Sequence, residues 1–126
     1  MNWKPPTEHR EQTELIKWAK ARAATLPELE MLVAVPNGEK RNPITGAKLK
    51  AQGVKPGFPD LFLPVPRGIY CGLAIEMKRC TGGRLSPEQR DWLERLQAQG
   101  YAAVVCNGAD EAIAVIENYL ASGIVK

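Results

Sequence analysis

The feature that most constrains this chain is a pair of apolar runs, Leu61-Phe62-Leu63 and Leu73-Ala74-Ile75, separated by a proline- and glycine-containing stretch from Pro64 to Gly68. Short runs of this kind around a turn read as an antiparallel hairpin, with one strand over Pro59 to Leu63 and the other over Ile69 to Lys78. A hairpin with one wet face should alternate apolar and polar residues. Here Leu61, Leu63, Leu73 and Ile75 have few polar partners, so both faces should be covered.

Helices to cover them can be read on either side. Thr7 is a plausible N-cap for a helix carrying Leu15, Ile16, Trp18, Ala19 and Ala23 at helical spacing, with Glu8, Glu11 and Glu14 in its early turns; it should end before Leu26-Pro27. Glu30 to Val35 reads as a strand stopped by Pro36-Asn37-Gly38. From Glu39 to Gly57 the chain is polar and basic and reads as a long loop holding one short helix, and loops of that length in small proteins are usually functional.

After the hairpin, Thr81 to Arg84 is a loop. Ser86-Pro87-Glu88-Gln89 is then a strong helix start: capping serine, proline at the first helical position, glutamine at the third. Trp92, Leu93 and Leu96 supply that helix's apolar face. Gly100 closes it, Tyr101 to Cys106 is a strand, Asn107-Gly108 turns, and Ala109 to Leu120 is a last amphipathic helix. A strand, a crossing helix and another strand add one parallel pairing to the hairpin. The expected class is α/β, a mixed sheet flanked by helices in the order α-β-β-β-α-β-α.

At 126 residues the chain fits a single domain, with 44% hydrophobic and 25% charged residues arguing against disorder. The net charge of +3 permits a polyanionic partner without demanding one. Three cysteines without C-x-x-C spacing suggest neither a disulfide framework nor a zinc site, and a reducing setting fits them. No secretory pattern and no membrane-length apolar run is visible, so a cytoplasmic location is expected.

Charged residues inside the hairpin need a reason. Glu76 and Lys78, two apart, project from one face of their strand, whereas Ile75 and Met77 point to the other. With the turn centred near Gly68, antiparallel pairing sets Asp60 across from Glu76. Two carboxylates and an ammonium then share a patch. Oxygen ligands of this kind suit Mg²⁺ or Mn²⁺, which can acidify a bound water and stabilise charge on a phosphate while a lysine orients that water. The basic loop favours a phosphate substrate, with Lys48, Lys50 and Lys55 available for contacts to a DNA backbone.

Pro59-Asp60 followed by Glu76-x-Lys78 resembles the PD-(D/E)xK nuclease superfamily, and the element order resembles its αβββαβ, restriction-endonuclease-like core. With Glu8-x-x-x-Gln12, Pro36-Asn37-Gly38, Gly53-x-Lys55-x-Gly57-Phe58-Pro59-Asp60 and Ser86-Pro87-x-Gln89, the chain is similar to stand-alone VRR-NUC domains of the kind phages encode, over roughly Thr7 to Leu120. The resemblance implies that Asp60 and Glu76 bind the metal, that Lys78 is the catalytic lysine, and that a helix-one glutamate is a further ligand, Glu8 by spacing with Glu11 as the alternative. It places Gln89 beside the site, and it implies a homodimer acting on branched or flapped DNA, in the host cytoplasm for a phage protein.

Simpler readings compete. Asp60, Glu76 and Lys78 could be a solvated ion pair of little energetic weight. Gln89 could be only a capping residue, Glu8 only a first-turn acid, and the Lys40 to Lys55 segment only a solubilising loop. His9 is expected to be exposed rather than catalytic, and Trp18 and Trp92 to be core rather than stacking platforms. The competing function is a non-catalytic module that binds DNA structures for a partner enzyme.

Overall fold

The computed structural model describes residues 3–36 and 43–125, apart from the side chains of 43–45. The Asn37-Gly38 turn and the basic residues Lys40 and Arg41 lie outside the described residues. The first helix, α1, runs Glu8–Arg22, and the Thr7 hydroxyl oxygen accepts from the Arg10 N–H at 3.1 Å. Glu8 and Glu11 sit at its positive end and Lys20 and Arg22 at its negative end, complementing the helix dipole at both.

The expected strand from Glu30 to Val35 is mostly something else. Pro27–Met31 forms a 3-10 turn, and only Val33–Ala34 pairs as β1. Pro27 supplies a helical φ and lacks the N–H that a strand would donate, while Leu29 turns inward and is buried. Of the apolar run that suggested a strand, Met31 ends the turn, Leu32 follows it half-buried against the larger core, and Val33 and Ala34 form an exposed two-residue edge.

Helix α2, Pro43–Ala51, occupies the basic stretch where one short helix was expected. The hairpin follows as β2, Leu61–Leu63, and β3, Leu73–Lys78. Their register is Leu61 to Ile75 and Leu63 to Leu73, so one further step sets Asp60 opposite Glu76, as the turn position predicts. The second strand starts later than Ile69 because Arg67 and Tyr70 exchange backbone hydrogen bonds in a tight turn and the Cys71 N–H goes to the Gly100 carbonyl. Ile69 is left on the surface.

Helix α3, Pro87–Ala98, begins in a full capping box: the Ser86 hydroxyl oxygen accepts from the Gln89 N–H, and Gln89 Oε1 accepts from the Ser86 N–H. Strand β4, Ala102–Asn107, then pairs parallel to β3, and α4, Ala109–Ser122, ends the fold. The sheet order is β1-β2-β3-β4.

Both sheet faces are covered, as the apolar hairpin required. Leu73, Ile75 and Met77 join Leu15, Ala19 and the Ala112, Val115, Ile116 and Tyr119 face of α4 in the larger core. On the opposite face Ala74 and Ala103 are small enough for α3 to approach through Leu93 and Leu96. All six residues of β3 are buried, Glu76 and Lys78 included. No helix among the described residues is long and apolar enough to cross a membrane.

Candidate active site

The strand alternation that sends Ile75 and Met77 into the larger core sends Glu76 and Lys78 to the face beneath α3. Glu76 is 1% exposed, a degree of burial a lone carboxylate does not tolerate. Its Oε2 accepts from Gln89 Nε2 at 3.2 Å and lies 3.7 Å from Lys78 Nζ. Its Oε1 is buried with no hydrogen-bond donor among the described residues.

Asp60 enters from the end of β2. Its Oδ2 accepts from the Met77 N–H at 2.8 Å, which fixes the carboxylate against β3 next to Glu76, and its own carbonyl accepts from the Val35 N–H. Glu8, half-buried at the first turn of α1, completes the group: one oxygen from each of Glu8, Asp60 and Glu76 lies within 4.8 Å of the others. Burial first, then the Asp60 carboxylate, pushes Glu76 up to about 9, with Lys78 pulling the other way and Glu8 adding to the rise.

Three carboxylates this close, one with an orphaned buried oxygen, fit a hard divalent cation that takes oxygen ligands. Of the two helix-one glutamates, Glu8 stands in the acidic group and Glu11 does not. Glu11 Oε1 accepts from the Ala109 N–H at 3.2 Å, so it caps the N-terminus of α4 across the fold.

Gln89 makes both a capping contact and a contact to Glu76. Its Oε1 closes the capping box while its Nε2 reaches Glu76. Two glycines make the tight packing here feasible. A side chain at Gly57 would sit 2.7 Å from Glu88 backbone and side-chain carbons and 2.8 Å from the Gln89 nitrogen, and one at Gly83 would sit 2.9 Å from Lys78 Cβ. Neither contact was legible beforehand; for Gly57 the only signal was its place in the Gly53-x-Lys55-x-Gly57 motif.

The remaining candidates lie outside the carboxylate cluster. Lys48, Lys50 and Lys55 are exposed on α2 and the loop after it. His9 is exposed, and Gln12 lines a shallow cleft on α1 with His9, Thr13, Ile16, Lys17 and Lys20. Trp18 packs half-buried against the larger core. Trp92 departs from the expected core position: half-buried, it meets Phe58 edge-on at 4.9 Å and lines a surface cleft.

A four-stranded mixed sheet walled by helices, with two carboxylates and a lysine gathered on its central strands, defines a nuclease-like α/β fold. The chain belongs to the VRR-NUC domain family, which it matches over residues 4–110. A solved structure described as a VRR_NUC domain protein is similar to it with a TM-score of 0.80 at 33% identity, covering 98% of each chain. No curated protein matches.

Proposed function

We propose that this protein is a Mg²⁺- or Mn²⁺-dependent DNA endonuclease that hydrolyses phosphodiester bonds, selective for branched or flapped DNA, and that it works as a homodimer in the cytoplasm. The observation that carries the reading is Glu76: a buried carboxylate with an unsatisfied oxygen, held between Asp60, Glu8 and Lys78. A structural ion pair would satisfy its own lone pairs, because a half-satisfied buried charge destabilises the fold. The selectivity for branches and the DNA contacts of exposed Lys48, Lys50 and Lys55 rest on family likeness and charge. The short exposed edge β1 is the surface through which two copies could pair.

Asp60, Glu76 and Glu8 would hold the metal, which when bound supplies an acidified water and positive charge against the phosphate. Gln89 and the Met77 N–H fix the orientation of two of these carboxylates, so that their oxygens need little rearrangement on binding. Lys78, anchored by Glu76 at 3.7 Å, orients the attacking water and stabilises the charge that grows on the scissile phosphate.

The test is cleavage of labelled linear, flapped and four-way DNA with Mg²⁺ or Mn²⁺, comparing wild type, Asp60→Ala and excess chelator. Cutting that needs both the metal and Asp60, and favours a branched form, is expected. Tight binding without cutting on every substrate and metal would replace this reading with the non-catalytic module.

A further inference from the structure

Outside the carboxylate cluster, the feature with the most unexplained chemistry is a cleft of about 360 Å³ between the end of α2, the loop after it and the outer side of α3. Lys50, Lys55 and Arg95 bring three positive charges to it, and Trp92 an indole. Of its two acids, Asp91 is already paired with Arg95 at 3.0 Å, which leaves Glu88 against the two lysines and the cleft net positive. The indole is held in place by a T-shaped contact with Phe58 at 4.9 Å and by the Arg95 guanidinium over its ring, 5.8 Å from the centroid. A surface tryptophan braced in this way among cations is suited to a flat, electron-rich ring carrying negative charge.

The cleft also lies next to the chemistry. Trp92 is three residues beyond Gln89, so about 4.5 Å of helical rise separates it from the residue that touches Glu76. Lys55 is five residues before Asp60, which caps their separation at about 18 Å of extended chain, no more than roughly five nucleotides of strand rise. The loop between them is pinned, because Gly57 packs directly on the first turn of α3.

We propose that this cleft is a subsite for an unpaired nucleotide flanking the scissile phosphate, its base stacked on Trp92 and its phosphates met by Lys50 and Lys55. The proposal rests on the nuclease reading above and deepens it: the cleft, rather than the carboxylate cluster, recognises the single-stranded arm of the substrate.

The test is binding of fluorescein-labelled DNA by anisotropy in EDTA, where nothing is cut, using a blunt duplex and the same duplex with a single-stranded flap. Trp92→Leu is expected to weaken flap binding about tenfold, within the range of a lost base stack, with little change on the blunt duplex. Trp92→Phe should restore most of it. Lys55→Glu, at an exposed position that cannot upset the core, should weaken flap binding by a similar factor and lower the salt dependence of binding by about one ion. Unchanged flap affinity in Lys55→Glu and in a folded Trp92→Leu overturns the proposal, and so does an equal loss on both DNAs. Failure of the wild type to cut any DNA would count against the nuclease reading alone, since the binding comparison does not depend on cutting.

Discussion

Replacing Glu76 with glutamine should make the metal-free protein more stable and at the same time remove its function. In the absence of a cation, burial and the neighbouring carboxylates push Glu76 up to about 9, from an ordinary value of 4.5. Its neighbours do not explain the rise by themselves. Two carboxylates, Asp60 and Glu8, lie within 4.8 Å and raise it, and the Lys78 ammonium at 3.7 Å lowers it. The largest cause is the loss of hydration in a site only 1% exposed.

Because the folded-state value is raised, the folded protein binds a proton that the unfolded chain releases above pH 4.5. Stability is therefore complete below that pH and is lost progressively as pH rises towards about 9. Each pH unit in that window costs about 1.4 kcal/mol, which makes the ceiling at pH 7 about 3 kcal/mol. Glutamine has the shape of the protonated acid and never needs the proton. Glu76→Gln should thus gain between about 1 and 3 kcal/mol at pH 7 in EDTA, a rise of several degrees in Tm, and lose most of the wild type's slope between pH 5 and 9.

Mn²⁺ should then reverse the order. The wild type gains about 2.7 kcal/mol at a hundredfold excess over Kd, and the variant gains far less. Thermal melts across pH, with and without Mn²⁺, decide the matter. A variant less stable than wild type at pH 7 in EDTA, or one with the same pH slope, would refute the reasoning.

Lys78→Ala should abolish cleavage while leaving DNA affinity within a few-fold of wild type, read by anisotropy beside a cutting assay; cleavage surviving in a clean preparation would remove its assigned role. Glu8→Ala and Glu11→Ala should separate cleanly: the first lowers Mn²⁺ affinity measured by calorimetry, whereas the second keeps that affinity and loses about 1 kcal/mol of stability with its cap on α4. Gly83→Ala puts a methyl against Lys78 Cβ and should lower the cleavage rate at least tenfold with metal affinity unchanged, as single-turnover kinetics would report. Tyr119→Phe removes a buried 2.6 Å hydrogen bond to the Val65 carbonyl, far from the cluster, and should lower stability by about 1 to 2 kcal/mol in urea melts without affecting cutting.

What the sequence made legible follows from periodicity and from strong local signals. The hairpin register could be counted from the turn at Gly68, and it places Asp60 opposite Glu76. Ser86-Pro87-Glu88-Gln89 fixed the start of α3 because a capping box is a local pattern. The run from Glu30 to Val35 misled for the opposite reason: an apolar run of strand length does not show where pairing begins, and a 3-10 turn that starts at Pro27 takes up Glu30 and Met31 and leaves only Val33 and Ala34 to pair. The Glu8 and Glu11 alternatives were equivalent by position on one helix. Only the approach of Ala109, ninety-eight residues along the chain, separates them.

The double use of Gln89 shows how the site and the fold are joined. One end of its amide holds the first turn of α3 and the other holds Glu76, so the helix that roofs the smaller core also aims a carboxylate. Glu76 then stands where hydration is lost and its Oε1 has no donor among the described residues. That arrangement destabilises the metal-free protein, and a divalent cation held by the three carboxylates would offset the cost. On the nuclease reading, substitutions that relieve the buried charge at Glu76 should therefore stabilise the metal-free protein and be those that make it inactive.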